Sequence, residues 1–195
     1  MPANCESRHM ARPDLKGRFL VAQPELTDPN FSHTVVYLFD HSEEGAAGVV
    51  VNRASKLTIQ ELSEKIYSST IEWDKPIMIG GPVSGPLLVV HQDSDWADDE
   101  IRDDVYRTVD PDKIHEILQR RLEPSLLVAS YAGWGPNQLE NEINEGAWAV
   151  TDADLRHIFW NEIKDLWDVL MAEIHTRKIG QVLKIRATPI DPAAN

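Results

Sequence analysis

Two histidines follow apolar segments directly, at points where a sheet would end. His41 comes after TVVYLFD, and His91 comes after PLLVV. A histidine at a sheet rim with a carboxylate nearby can act as an acid and base or bind zinc, and Asp28 and Glu142 are the carboxylates considered for that role. Because the chain has no HExxH motif, the pattern favours the alternative that each histidine closes a loop through hydrogen bonds.

A strongly acidic segment, residues 93–104, is a second candidate for chemistry, as a calcium loop. It begins Asp93-Ser-Asp95, like an EF-hand loop, and seven of its twelve residues are acidic. However, Asp98 stands where that loop needs glycine, and Asp104 stands where it needs glutamate. We therefore predict a solvated acidic loop that protects an edge strand, VYRTV at 105–109, and assign no metal ligand.

The glycine-rich stretch Gly80-Gly81-Pro82 raises the question of a phosphate-binding loop. A P-loop ends in GK[ST] at the start of a helix, and a dinucleotide fold needs GxGxxG between a strand and a helix. Neither motif occurs here, and no GxSxG motif accompanies the serines. The stretch is therefore predicted to be a tight turn, and the sequence indicates neither a catalytic residue nor a cofactor.

The stretch YAGWGPNQLENEINEGAW, residues 131–148, holds the densest set of groups that could bind something. If a helix begins at Pro136, its free amides could hold an anion, with Trp134 stacking on a ligand and Gln138, Glu140 and Glu142 adding polar contacts. The alternative is structural: Leu139 and Ile143 mark a buried helical face, so Trp134 and Trp148 fill the core. The spacing favours the structural interpretation and leaves both open.

These residues require a scaffold of mixed strands and helices, which the hydrophobic pattern predicts as one α+β domain over residues 15–186. Residues 1–14 and 187–195 are expected to be disordered tails. The predicted strands lie within residues 17–24, 34–39, 48–52, 77–80, 86–91, 105–109 and 125–131. The predicted helices are 59–68 after a Thr58–Glu61 capping box, one from Pro111 to Leu122, one opening at Pro136, one capped by Thr151 and Asp154, and 161–175.

Charge and composition limit the classes of partner. The net charge is −13, which disfavours direct binding to nucleic acid, and its short basic clusters include Arg177-Lys178 with Lys184 and Arg186. No apolar run is long enough to span a bilayer, and no signal peptide is visible. The single cysteine, Cys5, excludes an intrachain disulfide and fits a cytoplasmic protein.

Several co-linear motifs resemble the AlgH/YqgE family of small bacterial proteins. YAGWGPNQLENEINEGAW resembles the family signature GYAGWxxxQLExEIxxxxW, and LKGRFLVAQPELTDPNFSHTVVYLFDHSEEGAAGVVVNR resembles its N-terminal block. GGPV at 80–83 and His91 resemble its central block. Ser130 departs from the pattern, since the family has glycine there. The match covers about residues 15–92 and 126–170.

The resemblance implies an α+β fold with a bifurcated, barrel-like mixed sheet and flanking helices, and it brings no established reaction. Some members are named as transcriptional regulators. A shared pocket or docking surface would use the polar and aromatic motif positions together with Glu142. These candidate binding residues are Asp28, Phe31, His41, Asn52, Gly80, Gly81, Pro82, His91, Trp134, Gln138, Glu140 and Glu142.

Three functions remain open from the sequence. The favoured one is a non-enzymatic binding or regulatory module that contacts another, unidentified protein. The second is a small-ligand or metal-binding protein, or an unrecognised enzyme, with a histidine and carboxylate pocket at the sheet rim. The third is transcriptional control by direct DNA contact, which the acidic charge disfavours.

Overall fold

The strands of the protein form two sheets. The computed structural model describes residues 14–67, 70–159 and 163–186. Sheet A contains, in spatial order, β10 (Ala132–Trp134), β3 (Gly45–Val50), β2 (Val35–Ser42), β1 (Arg18–Ala22) and β11 (Trp148–Asp152). Sheet B contains β4 (Ala54–Thr58), β5 (Pro76–Ile79), β9 (Ser125–Ala129), β6 (Leu88–His91), β8 (Val105–Thr108) and β7 (Asp99–Arg102). Neighbouring strands are antiparallel except β5 and β9.

The α-helices of the described residues are α1 (Ile59–Ile66), α2 (Pro111–Gln119), α3 (Gln138–Asn144), α4 (Leu155–Ile158) and α5 (Leu166–Arg186). Three of these five helices, α1, α2 and α4, begin at a residue whose side chain caps the first turn. The predicted capping box of α1 is present, because Thr58 Oγ1 accepts from the Glu61 amide and Glu61 accepts from the Thr58 amide. Asp110 caps α2 through two amides, with proline at the first helical position.

Three apolar clusters show how the layers stack. Sheet A is buried on both faces because the side chains of each strand alternate between them. The inner face, with Phe19 and Tyr37, packs on sheet B and on α5. The outer face, with Leu20 and Leu38, is covered by α3. On the far face of sheet B, α1 and α2 bury Ile59, Ile114 and Ile117 against β5, β6 and β9.

The expected fold class is confirmed: this is a single α+β domain whose helices flank mixed strands. The strands divide into two sheets that do not close into a barrel. The sheets approach each other at Gly80, whose carbonyl oxygen accepts a hydrogen bond from the Val50 amide in β3 while its own amide donates to Ala129 in β9. This backbone contact joins sheet A to sheet B.

Several element predictions are wrong in detail. The acidic segment 93–104 is not a simple loop, because Asp99–Arg102 forms β7. The predicted edge strand at 105–109 is β8, which lies between β6 and β7, so β7 is the edge. The helix expected at Pro136 begins at Gln138 after a left-handed Asn137 (φ 61°), and Thr151 lies in β11, so Asp154 alone caps α4.

The strands β10 and β11 are also absent from the sequence prediction. Each of these strands pairs with a neighbouring strand of sheet A: β10 pairs with β3, and β11 pairs with β1. Of the predicted disordered tails, residues 1–13 and 187–195 lie outside the described residues. Within the described part of the chain, no helix is both long enough and apolar enough to cross a membrane.

Candidate functional site

The segment 131–148 folds as β10, a turn, α3 and β11, and it closes the outer face of sheet A. Trp134 is 5% exposed, Trp148 is 3% exposed and Leu139 is 1% exposed. The two indoles therefore fill the core, as the structural interpretation predicts. Neither ring presents a free face on which a ligand could stack.

Glu142, in α3, ties this segment together. Its Oε2 atom accepts from the indole Nε1–H of Trp134 at 2.9 Å and from that of Trp148 at 2.8 Å. Its Oε1 atom accepts from Gln138 Nε2 at 2.9 Å, and Gln138 Oε1 accepts from the Gly135 amide at 3.0 Å. Both carboxylate oxygens are thus engaged, which satisfies two indole donors that burial would otherwise leave unpaired.

Phe31 completes an aromatic cluster with these two indoles. Its ring centroid lies 6.0 Å from that of Trp134 in a stacked arrangement and 5.4 Å from that of Trp148, edge to face. The turn that carries Phe31 is held by Asp28, whose Oδ1 accepts from the Asn30 amide at 2.7 Å. These contacts orient the turn against α3 and β11.

Asn52 holds the other side of the same turn. Its Oδ1 accepts from the Val35 amide at 2.9 Å, and its Nδ2 donates to the His33 carbonyl oxygen at 2.9 Å. Arg53 also donates to the turn, with Nη1 reaching the Asn30 carbonyl oxygen at 2.8 Å. The side chain of Asn52 therefore joins the backbone of the turn to the backbone of β2 through hydrogen bonds.

His41 is paired with Glu140 and not with Asp28 or Glu142. Its side chain is 3% exposed, and Nε2 lies 2.8 Å from Glu140 Oε1. Nδ1 accepts from the Leu15 amide at 3.2 Å, so that nitrogen is unprotonated and Nε2–H donates to the carboxylate. The residue joins the end of β2 to α3 and to the chain before β1.

His91 lies in the other sheet and is also engaged at both nitrogens. Nε2 is 2.8 Å from Thr108 Oγ1, and Nδ1 accepts from the Asp93 amide at 3.2 Å. Burial lowers the pKa of His91, although Asp93 and Asp98 act in the opposite direction. His91 lines a cavity of about 330 Å³ with acidic neighbours, namely Asp93, Asp95 and Glu123.

Gly80 and Gly81 allow two backbones to approach closely. A Cβ atom on Gly80 would lie 2.4 Å from the Ser130 carbonyl oxygen, and one on Gly81 would lie 2.4 Å from the Tyr131 carbonyl oxygen. Ser130 itself has φ 67°, in the left-handed region that favours glycine, and its Oγ donates to the Gly81 carbonyl oxygen at 2.8 Å. Pro82 follows at the exposed surface.

The predicted site residues therefore form separate groups. One group joins Phe31, Trp134, Gln138 and Glu142, a second pairs His41 with Glu140, and His91 stands in sheet B. Asp28 and Asn52 form hydrogen bonds with backbone atoms, and the Gly80–Pro82 turn lets two backbone segments approach closely. Among the described residues, no group of three or more histidine, cysteine, aspartate or glutamate side chains is arranged to hold a metal ion. Whether any of these residues binds a ligand stays a prediction.

A larger cleft lies elsewhere, between the β11–α4 connection and α5. Its volume is about 660 Å³, and it is lined by Asp152, Ala153, Asp154, Arg156, His157, Ala172, Glu173, Thr176 and Arg177. The sequence motifs do not include these residues. They come from two segments, 152–157 and 172–177, and neither segment contains residues at the spacing of a known binding motif. The only signals in the sequence are the cap at Asp154 and the basic pair Arg177-Lys178.

Charged pairs hold the walls of this cleft. Arg156 binds the Asp154 carboxylate through Nε and Nη2, the shorter contact being 2.7 Å, and this pairing lowers the pKa of Asp154 to about 2. Arg177 Nη1 donates to Thr151 Oγ1 at 2.9 Å, and its Nη2 lies 3.6 Å from Glu173 Oε2.

His157 forms the floor of the cleft. Its side chain is 8% exposed, and its Nε2 lies 3.9 Å from Glu173 Oε1. Asp152, at the rim, forms an ion pair with Arg18 across β1 and β11. The cleft thus presents cations and carboxylates in fixed positions, which suits recognition of a charged or polar partner better than proton transfer.

Comparison with known sequences identifies similar proteins. Residues 19–178 match the family model described as AlgH-like. A UPF0301 protein of Nitrosospira multiformis is 38% identical over 153 residues, which cover 75% of this chain and 82% of the relative. A UPF0301 protein of Nitrosococcus oceani is 32% identical over 164 residues, which cover 80% of this chain and 88% of the relative.

Two solved structures have similar folds. The solution structure of AlgH from Pseudomonas aeruginosa superposes with a TM-score of 0.68 at 28% sequence identity, covering 94% of this chain and 100% of that chain. The crystal structure of DIP2367 from Corynebacterium diphtheriae gives a TM-score of 0.69 at 22% identity, covering 83% of this chain and 88% of that chain. The second likeness concerns the fold alone.

Proposed function

The chain belongs to the AlgH-like family, and from that premise we propose that it is a non-enzymatic binding module that contacts another protein through the cleft between β11–α4 and α5. The observation that carries this proposal is the contrast between two regions. The polar groups of the family signature are engaged in bonds within the fold, whereas the cleft of about 660 Å³ has an open, charged rim.

The burial of the signature aromatics supports a contact surface elsewhere. Trp134 is 5% exposed, so a partner could reach it only after α3 had moved. At the cleft, by contrast, the Arg156 side chain is 78% exposed, and Leu155 beside it is 38% exposed. Arginine together with an adjoining apolar side chain is typical of the residues that dominate binding energy in protein interfaces.

The arrangement of charge supports a polar, specific contact. Arg156 is held by two bonds to Asp154, and Arg177 is held by Thr151 and Glu173, so both guanidinium groups are preorganised. Preorganised side chains lose little conformational entropy on binding. Fixed charges of both signs select partners by complementarity and penalise those that place like charges opposite them.

Photo-crosslinking in the native host tests the proposal. A photoreactive p-benzoylphenylalanine replaces Leu155, which lies between the cleft residues Asp154 and Arg156 in the chain, and in a matched control it replaces Ile66, which is 50% exposed on α1. We expect one predominant adduct from position 155 that is absent from position 66. Adding Arg156→Glu to the position 155 variant should abolish that adduct while the melting temperature stays within a few degrees.

Two results would contradict the proposal. One is an identical set of adducts from positions 155 and 66, which indicates random encounter. The other is a specific adduct at 155 that survives both Arg156→Glu and Arg177→Glu, because the cleft charges would then have no part in recognition.

A second candidate function, binding of a small charged ligand, uses the same cleft. Its volume of about 660 Å³ falls within the roughly 300–1,000 Å³ typical of small-molecule sites. Saturation-transfer NMR with a mixture of amino acids and nucleotides as probes separates the two functions. Probe signals that disappear in Arg156→Glu would favour a small ligand, and an absence of signals together with a specific crosslink would favour a protein.

Direct contact with DNA is the least favoured function. The net charge of −13 opposes the approach of a polyanion, and each cation at the cleft faces a carboxylate. A gel-shift assay with random duplex DNA at low salt checks this point, and we expect no shifted complex.

A further inference from the structure

Four strands lie at the edges of the two sheets, and three of them carry features that hinder pairing with another chain. The edge strands are β10 and β11 in sheet A and β4 and β7 in sheet B. Strand β4 has an irregular register against β5 and carries the exposed Lys56. Strand β7 has a register shift between Glu100 and Arg102, and β10 has only three residues, one of them Gly133. Charges, bulges and short strands are the devices that keep sheet edges unpaired.

Strand β11 lacks these protective features. It pairs with β1 over five consecutive residues without a shift in register. Its sequence, Trp-Ala-Val-Thr-Asp, contains no glycine, proline or lysine. The one charged residue, Asp152, forms an ion pair with Arg18 of β1. The outer edge of β11 is therefore regular, and its charge is neutralised within the chain.

Alternate residues of β11 turn their backbone groups away from β1. In an antiparallel pair, residues that exchange hydrogen bonds alternate with residues that do not. The Gln23 amide donates to the Ala147 carbonyl oxygen at 2.9 Å, so the odd-numbered residues of β11 bond to β1. The N–H and C=O groups of Trp148, Val150 and Asp152 therefore point to the free edge. Within the described part of the chain, these groups have no hydrogen-bond partner.

The outer edge also combines backbone groups that water reaches poorly with an exposed apolar side chain. Trp148 is 3% exposed, and a backbone polar group that is buried without a partner is costly. Val150, at the centre of the strand, is 37% exposed and lies opposite Leu20 on the outer face of sheet A. Unpaired backbone groups beside an exposed β-branched side chain suit the addition of another strand.

A second copy of this chain supplies a strand that fits this edge. If two β11 strands meet antiparallel about a two-fold axis at Val150, that residue lies opposite its own copy, and Trp148 lies opposite Asp152 of the other copy. Every outward-facing residue of one strand then faces an outward-facing residue of the other, and the three pairs form about six hydrogen bonds. A shift of one residue would lose this match.

We propose that two copies of the chain associate through their β11 edges, so that their five-stranded sheets join into one continuous sheet. The contact uses the same surface on both copies and closes by two-fold symmetry. This inference goes beyond the proposed function, because it depends on the strand edge and on Val150, which does not line the cleft. Asp152 borders both regions, so the tests leave it unchanged.

Sedimentation velocity of the full chain, from about 1 μM to 1 mM, tests the association. We expect a dimer fraction that rises with concentration and does not fall as salt is added, because screening weakens the repulsion between two chains of net charge −13. Val150→Lys places two cations at the two-fold axis and should sediment as a monomer with a melting temperature within a few degrees of the wild type. The matched control Val109→Lys, at a side chain that is also 37% exposed, should remain a dimer.

Hydrogen exchange resolved to single amides tests the backbone contact directly. The amides of Val150 and Asp152 face the free edge, whereas those of Ala149 and Thr151 bond to β1. In concentrated wild-type protein, the two edge amides should exchange at least about tenfold more slowly than in dilute protein. The two amides that bond to β1 serve as the internal control and should exchange at the same rate in both.

A disulfide provides a test that does not depend on a disruptive variant. Opposed residues of an antiparallel pair have Cα atoms about 5.5 Å apart, within the reach of a disulfide. Val150→Cys in a Cys5→Ser background should therefore give a covalent dimer on mild oxidation, and Val109→Cys in the same background should give far less.

Three results would overturn the proposal. They are a wild-type chain that is monomeric at every concentration, a dimer that survives Val150→Lys, and edge amides whose protection does not change with concentration. Arg156→Glu, which removes a charge of the cleft, should leave the dimer intact. Loss of the partner contact at the cleft and loss of the dimer are thus separate outcomes.

Discussion

The Oε2 atom of Glu142 accepts the indole N–H of Trp134 at 2.9 Å, and the same atom accepts the indole N–H of Trp148 at 2.8 Å. One carboxylate oxygen on α3 thereby joins the two edge strands of sheet A, β10 and β11, which lie four strands apart in the sheet order. The relationship gives these residue types a structural role in this chain: the acid satisfies two indole donors inside a corner of the fold.

Replacing Glu142 with glutamine should destabilise the protein by about 1–3 kcal/mol. If the amide oxygen keeps both indole partners, the new NH2 group faces Gln138 Nε2, donor against donor; in the other orientation the NH2 group faces both indoles. Urea unfolding monitored by tryptophan fluorescence measures the change. The control is Glu145→Gln on the exposed end of the same helix, which should change stability by less than about 0.5 kcal/mol. Equal losses in both variants would contradict the role of Glu142.

Gly81→Ala should destabilise the protein by about 2 kcal/mol or more. The residue has φ 153°, and an added Cβ would lie 2.4 Å from the Tyr131 carbonyl carbon and oxygen, which are backbone atoms that cannot move aside. The matched control is Gly133→Ala, since the nearest atom to its Cβ would be Tyr131 Cε2 at an ordinary 3.4 Å. Thermal unfolding of the two variants tests the difference, and a Gly133 variant as unstable as the Gly81 variant would count against the close-approach explanation.

Tyr37→Phe should leave the stability unchanged or raise it by up to about 1 kcal/mol. Tyr37 is 1% exposed, and within the described part of the chain its hydroxyl has no hydrogen-bond partner. Burial raises the pKa of Tyr37, although Arg102 opposes the shift. Removing an unpaired buried hydroxyl removes its desolvation cost. The control is Tyr106→Phe, whose hydroxyl reaches Asp104, and a loss above 1 kcal/mol for the Tyr37 variant in urea would refute the prediction.

Protonation of the Asp98 carboxylate should make the protein less stable in acid. Burial alone would raise the pKa of Asp98, but Lys113 and the amides of Val109 and Asp110 outweigh it and lower the pKa to about 2. Because the folded value lies below the ordinary value, the stabilisation is fully present above about pH 4 and is lost as the pH falls toward 2.

The size of this effect is about 1 kcal/mol once solvent screening is allowed for, since the carboxylate is 23% exposed. Urea midpoints measured from pH 6 to pH 2 should fall less steeply for Asp98→Asn than for the wild type. Asp95→Asn, in the same acidic segment, should follow the wild-type slope. If the urea midpoints of Asp98→Asn fell as steeply with pH as those of the wild type, this carboxylate would not account for the loss of stability in acid.

Local chemistry determined much of the scaffold. The β-branched run of β2, the capping box of α1 and the Asp110-Pro111 start of α2 depend on neighbouring residues, so their positions follow from the sequence. The core role of Trp134 and Trp148 follows in the same way from the Leu139 and Ile143 spacing. The family resemblance also rests on sequence alone, and the AlgH-like match over residues 19–178 confirms it.

The rest of the scaffold was decided by pairing between segments that are distant in the chain. Strand β10 has three residues, of which Ala132 and Gly133 have little intrinsic preference for a strand, and it forms because β3 offers a partner. Strand β11 contains strand-favouring residues, but its place at the edge of sheet A is set by pairing with β1. The acidic segment becomes the edge strand β7 because β8 lies beside it. A bulge between Leu38 and Asp40 redirects the end of β2, where His41 meets Glu140, so no spacing in the chain could have paired these two residues.

For the candidate sites too, some features follow from the sequence and others only from the tertiary structure. The sequence by itself determined which residues belong to the signature, because residue type and spacing are local properties. Only the tertiary structure decided that Glu142 and His41 are engaged inside the fold, and that residues 152–157 and 172–177 enclose a charged cleft. The physical reason is that hydrogen-bond satisfaction and concavity depend on which segments meet in space, and that is set by packing across the whole domain.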